Sequence, residues 1–291
     1  MVNLIGQAET KQFLKGRKSL PNSIIIYGEK QSGKKTLARY IAENLGYDCI
    51  FLDNKVDSIR EMIDLSSNLA NPTLFVIPVS DMSNAAKNSL LKVTEESPKN
   101  VHICLIAFSE SEVLNTLVSR SWVIPMLPYS PDEVGYYLEI LVKSSSEIVE
   151  LSHLFTSPGQ VQQVVAAHGK EGIQLYLEKV QFFYQNIFEA SASNALKMVD
   201  WFKLKDSDSR EDALIPELFL TLSLNWIAWK NRNGADFEDI ARNNGLLIRI
   251  AFCLRTLNTK GRSKTFAINK LVKEVQDIGK LDGFDVRYSG E

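Results

Sequence analysis

The sequence predicts an α/β domain on a parallel sheet with helices on both faces, followed by a small helical domain and a larger all-helical one. Three observations predict it. Short β-branched apolar runs alternate with helical stretches up to about residue 127. A loop rich in glycine and lysine, GEKQSGKKT (28–36), lies between the first such run and a helix. Past residue 127 the strand signal stops and helical periodicity continues alone. The expected domains are therefore 1–127, 128–170 and 171–291.

Each element has its own signal. Residues 7–18 have helical character, and SIIIYG (23–28) reads as a buried strand ending in glycine. In KKTLARYIAENLG the apolar Leu37, Ile41, Ala42 and Leu45 recur at helical spacing, and Gly46 is a stop signal. CIFLD (49–53), TLFVIPV (73–79), VHICLIAF (101–108) and SWVIPM (121–126) give four further strands. Between them lie a helix through IREMIDLSSNLA capped by Asp57, the helix NAAKNSLLKVTEE (84–96), and a short helix LNTLVSR (114–120). The Ser-Pro-Asp of PYSPDEVGYYLEIL opens the helical region. VQFFYQNIF, ALKMVDWF, LFLTLSLNWIAW and LLIRIAFCLRTL then suggest a bundle. HGKEG (168–172) is a break, KLKDSDSREDA (203–213) a polar loop and GFDVRYSGE a tail.

Bulk properties narrow the function. With 45% hydrophobic and 23% charged residues the chain reads as soluble and globular. A net charge of -2 excludes nucleic-acid binding by bulk charge and leaves room for a local basic patch. The three cysteines, Cys49, Cys104 and Cys253, form no CxxC pair, so they read as buried, reduced thiols and not as a zinc site. The N-terminus carries no secretory signal pattern, and no apolar run is long enough to span a membrane. The expected location is cytoplasmic.

The loop carries the chemistry. Gly28 and Gly33 let the backbone curl so that amides face a phosphate, and Lys34 would reach the outer phosphates. The bland alternative is a glycine-rich turn without a ligand. Lys35 stands where a magnesium-holding hydroxyl belongs. Thr36 has the hydroxyl, but one helical residue further rotates it by about 100 degrees. Hydrolysis also needs an acid at the end of a strand. The third strand ends in Pro78 and Val79, and Asp81 comes later. The pattern points to a retained loop with lost catalysis.

Beyond these residues the chain resembles the clamp-loader subunits of the AAA+ class, most closely the delta-prime subunit of bacterial DNA polymerase III. LIGQAETKQFL, GEKQSGKKT, VDSIREMID (56–64), NAAKNSLLKVTEESP (84–98), LVSRS (117–121) and SPGQVQQV (157–164) carry the resemblance in the family's order. NSLLKVTEESP is the most specific piece. The resemblance implies a P-loop domain, a helical lid and a collar; the collar matches by length and helicity alone.

It also implies roles. Arg120 matches the arginine of the Ser-Arg-Cys motif, with Ser121 in place of cysteine. In the family that arginine points into a neighbouring subunit's ATP site, where a cation stabilises transferring charge. Without the resemblance, a structural arginine at a helix end is the simpler reading. Gly159 stands where motor subunits carry an arginine that senses the γ-phosphate. The implied protein is a stator that keeps a finger for its neighbour. Implied partners are gamma/tau-like ATPase subunits, a delta-like subunit, the sliding clamp and primer-template DNA, with no membrane. Whether ATP and magnesium occupy its own loop stays open. The family's four-cysteine zinc module is missing, which implies no zinc and a divergent or phage-type lineage. Two rivals remain: an active AAA+ ATPase using Thr36 and Asp81, and an AAA-like scaffold outside replication.

Other features are quieter. His102, His153 and His168 form no triad pattern. Trp201, Trp226, Trp229, Phe182, Phe183 and Phe188 read as bundle core. The basic run 259–270, with Lys260, Arg262, Lys264 and Lys270, is a solvated loop or a contact for a phosphate backbone. Lys87 and Lys92 on the 84–96 helix are possible backbone contacts in an assembled complex.

Overall fold

The computed structural model describes residues 4–66, 69–80, 82–95, 98, 100–142, 147–187, 198–204, 210, 213–259 and 261–281. The chain divides into two compact units, Met1–Glu133 with Ser157–Gly159, and Val134–Thr156 with Gln160–Glu291.

The first unit holds five parallel strands: β1 Ser23–Tyr27, β2 Asp48–Phe51, β3 Thr73–Pro78, β4 Val101–Ala107 and β5 Trp122–Pro125. Their order is β2-β3-β4-β1-β5. Five helices accompany them: α1 Ala8–Leu14, α2 Lys34–Leu45, α3 Val56–Ser66, α4 Asn84–Glu95 and α5 Asn115–Val118. Alternation of side chains along the strands builds two cores. Ile25, Phe75, Ile77, Ile103 and Leu105 join Ile59, Met62, Ala86, Leu90 and Leu117 on one face. Ile24, Ile26, Leu74, Val76 and Cys104 join Leu37, Ala38, Ile41 and Ala42 on the other. Strands this apolar on both faces require cover on both sides, so the sheet sits between helices.

Local signals act as expected at most boundaries. Gly46 ends α2 in the left-handed region, and its N–H bonds back to Ala42 and Glu43. Asp57 is a correction. Helix α3 starts at Val56, so Asp57 lies in its first turn and does not cap it.

The second unit is helical: α6 Pro131–Leu141, α7 Ile148–Leu154, α8 Pro158–His168, α9 Glu171–Asn186, α10 Pro216–Arg232, α11 Phe237–Leu257 and α12 Lys264–Leu281, with the first residues of α6 and α8 counted in the first unit. Ser130 and Glu133 close a reciprocal cap on α6: the Glu133 carboxylate accepts from the Ser130 N–H and Ser130 Oγ accepts from the Glu133 N–H. The HGKEG break separates α8 from α9. An isolated bridge, Phe202 to Leu214, interrupts the otherwise helical region. Tyr176 is fully buried, and its hydroxyl accepts the Ile215 N–H at 2.9 Å. Phe183, Phe202, Phe219 and Trp226 are buried as a bundle core requires, whereas Phe182 is exposed. Phe188, Lys260, the tail and most of the 203–213 loop lie outside the described residues.

Candidate functional site

The phosphate-type loop leaves the carboxyl end of β1, which lies between β4 and β5 in the sheet. That is a crevice position where α/β sheets take ligands. The Gly28 N–H bonds to the Ala107 carbonyl and anchors the loop to β4. Gly33 adopts a φ of 88° at the start of α2, a conformation glycine enters without strain.

Lys34 does not project from the loop. It is buried, and its ammonium donates to the Gly28 carbonyl at 2.6 Å and to the Glu29 carbonyl. The Phe108 ring lies 5.2 Å from the same ammonium. Burial lowers the Lys34 pKa, and the charges of Glu112 and Glu29 oppose that shift.

Three groups cover the loop. Tyr129 donates its hydroxyl to the Ser32 carbonyl at 3.0 Å, and Ser157 donates to the Gln31 carbonyl at 2.9 Å. Gly159 lies so close that a Cβ built on it would stand 1.9 Å from the Gln31 oxygen. Only glycine permits that approach. Ser32 Oγ is buried beneath this cover and has no hydrogen-bond partner among the described residues.

The residues around the loop suit phosphate only in part. Lys35 and Thr36 are both exposed on α2, and Lys35 leans towards the Phe51 ring at 5.9 Å. Strand β3 ends in Pro78, followed by buried Val79; Asp81 lies outside the described residues. A carboxylate does reach this edge. Glu112 accepts from the Phe108 N–H at 2.9 Å and from Ser80 Oγ at 3.4 Å. The loop thus offers backbone amides and a lysine without a hydroxyl at residue 35 or an acid closing β3. Among the described residues no group of three or more His, Cys, Asp or Glu is placed to hold a metal.

Arg120 sits elsewhere. It follows α5 in a turn fixed by Ser121, whose Oγ lies 2.7 Å from both Ser23 Oγ and the Leu117 carbonyl. Ser23 opens β1 and Tyr27 closes it, so Arg120 lies at the amino edge of the sheet and the loop at the carboxyl edge. At about 3.3 Å per residue the strand alone separates them by ~13 Å. The guanidinium is 45% exposed, donates from Nη1 to the Thr116 carbonyl at 2.8 Å and lies 3.3 Å from Glu95 Oε1 through Nη2. The structure brings Gly28, Gly33 and Lys34 together, leaves Lys35 and Thr36 on the outer face of α2, and keeps Arg120 apart from all of them.

Sequence reasoning missed Glu95, Phe108, Glu112 and Tyr129. Tyr129 stands in the quoted PYSPDE and Glu95 in NSLLKVTEESP, but only the fold shows what they touch.

Residues 50–130 match the family model described as DNA polymerase III, delta subunit. That span holds β2 to β5, Glu95 and Arg120 and leaves out the loop. A DNA polymerase III gamma subunit-related protein of Thermotoga maritima superposes with a TM-score of 0.53 at 17% identity, covering 94% of this chain and all of that one. The fold is that of an AAA+ P-loop protein. The Holliday junction branch migration motor RuvB of the same organism is more distant: TM-score 0.46 at 15% identity, over 96% of this chain and 88% of that one. The curated proteins give no match. Within the AAA+ fold, the loop is the nucleotide position and the amino-edge turn bearing Arg120 is a separate surface. No described helix is long and apolar enough to cross a membrane.

Proposed function

We propose that this chain is a catalytically silent, delta-prime-like subunit of a clamp loader, acting as a stator that helps load a sliding clamp onto primed DNA. It donates Arg120 to the ATP site of a neighbouring gamma/tau-like subunit, in an assembly that also holds a delta-like subunit. On this reading, segment 128–170 is the lid and 171–291 the collar that joins the subunits.

The observation that carries the reading is the placement of Arg120. An arginine at the amino edge of the sheet cannot serve a loop at the carboxyl edge of the same strand, and its guanidinium stays half-exposed on a weak surface pair. A second chain's phosphate can displace Glu95 from it, because phosphate takes a guanidinium bidentately and carries more charge. The loop supports the other half of the reading. Lys34 satisfies carbonyls of its own loop, Tyr129, Ser157 and Gly159 cover it, and a lysine occupies the magnesium position.

The test is ATP hydrolysis with magnesium by the purified chain, alone and with the partner ATPase subunit. The expected result is silence alone and a DNA-dependent rise in the partner's rate that Arg120→Ala abolishes at one site. Turnover by the chain alone would favour the motor rival, with Glu112 as the acid to substitute next. An unchanged rate and unchanged clamp loading in the Arg120→Ala complex would remove the finger.

A further inference from the structure

The hairpin of α11 and α12 carries a groove of 250 Å³ whose walls include Arg249, Phe252, Arg255, Arg262, Phe266 and Lys270. We propose that this groove binds single-stranded nucleic acid, with phosphates on the guanidinium groups and a base stacked on Phe266. The proposal concerns the second unit alone and stands whether or not the clamp-loader reading holds.

Charge comes first. The whole chain is net -2, yet four cations converge on this groove against the single carboxylate Glu274. Glu274 is spent on Lys270, at 3.6 Å. Three arginines therefore set the local field. Arg249 uses one donor on the Gly245 carbonyl at 3.2 Å and keeps its other donors. Arg249 and Arg255 are six helical residues apart, about 9 Å along α11, and Arg262 continues the line beyond its end. Such a row tracks a phosphodiester chain, and guanidinium is the side chain suited to it.

The aromatic groups decide between occupants. Phe252 and Phe266 are 53% and 61% exposed, too open for a packing role. Lys270 Nζ lies 4.9 Å from the Phe252 ring and interrupts the apolar floor with a charge. An amphipathic helix seeks a continuous apolar strip for its i, i+3, i+4 and i+7 anchors, and this floor does not provide one. A single strand alternates a charged backbone with flat bases, which matches alternating cations and rings. The basic run 259–270 of the sequence supplies half of this site; Arg249, Phe252 and Arg255 supply the rest from α11.

The experiment uses the full chain and a fluorescein-labelled thymidine 20-mer, followed by anisotropy across a salt series. Binding should weaken at least ~5-fold in Phe266→Ala, the scale of one lost base stack. The triple variant Arg249→Ala/Arg255→Ala/Arg262→Ala should flatten the salt dependence by about two logarithmic units, at ~0.7 per phosphate lost. Circular dichroism checks that both variants keep their helices. The inference falls if the 20-mer does not bind at low salt, if neither variant changes binding, if a duplex of equal length binds as well and ignores Phe266→Ala, or if an acidic amphipathic peptide binds the groove more tightly than the oligonucleotide.

Discussion

Gly159→Ala adds one methyl group at the tightest backbone contact of the loop. The new Cβ would stand 1.9, 2.7 and 3.0 Å from the oxygen, carbonyl carbon and Cα of Gln31, all of them backbone. Backbone cannot swing aside as a flexible side chain does, so the Ser157–Gly159 segment and the loop must part by about 1 Å, as tightly packed atoms leave no room for an added methyl. The Ser157 hydroxyl, now 2.9 Å from the Gln31 carbonyl, would then lose its hydrogen bond. That loss costs about 1 kcal/mol, and the lost packing adds a similar amount. The cost stops there, because the segment can lift away instead of straining the sheet. A total of about 2 kcal/mol lowers the melting temperature by roughly 4–8 °C for a unit of this size. Calorimetry reads that shift, and hydrogen exchange locates it, since amides of residues 28–37 should exchange faster while those of β3 and β4 do not. Ser157→Ala removes the hydrogen bond alone and should give about half the effect. If Gly159→Ala melts with the parent protein and its loop amides keep their protection, the loop is not held closed in this way.

Lys34→Ala should leave clamp loading unchanged and cost ~1 kcal/mol of stability, the net of two lost carbonyl contacts and a relieved buried charge; a collapse of loading would mean the loop binds nucleotide for function. Glu95→Gln frees Arg120 from an exposed pair worth at most ~1 kcal/mol, so stability should hold while the partner's ATPase rate at low ATP rises up to ~5-fold; a fall would mark Glu95 as a support that the finger needs. Tyr176 gives a pH test. Burial pushes its phenol up to about 12, against the pull of the Ile215 N–H, so its stabilisation is complete below pH 10 and drains away as pH rises from 10 through 12. By pH 11 that loss is about 1.4 kcal/mol. Tyr176→Phe should be weaker by ~1 kcal/mol at pH 7, because the Ile215 N–H loses its acceptor, and the gap should close or reverse by pH 11 in urea unfolding. A gap independent of pH would contradict the assigned shift.

Local signals were legible in the sequence because local physics sets them. Ile24, Ile25 and Ile26 mark a strand buried on both faces, Gly46 a helix stop, and Ser130 with Glu133 a cap, and each depends on neighbours within a turn or two. The closure of the loop was not legible. Tyr129 reaches Ser32 across 97 residues and Ser157 reaches Gln31 across 126, and neither leaves a periodic trace. The Glu95–Arg120 pair joins the end of one helix to the turn after another, a contact fixed by how α4 and α5 pack. Asp57 failed as a cap for a related reason: Val56 already belongs to the helix, and a side chain one position inside can no longer serve its first free N–H groups.

The two halves of the candidate site are separated by the sheet itself, and that separation constrains function more than either half alone. A parallel strand has two chemically different ends, and β1 carries the loop at one and the Ser23–Ser121 contact that seats Arg120 at the other. Sliding along the strand cannot bring them together, because every strand of the sheet would have to shift register and move its apolar faces out of their cores. Arg120 can therefore meet a phosphate only on a second molecule. The loop, for its part, has its lysine bonded inward and its carbonyls capped by Tyr129 and Ser157. A chain built this way gains nothing from turnover at its own loop and can still change the rate at another's. That asymmetry is why measuring the chain alone and then with its partner separates the readings, where a mutation of the loop by itself would not.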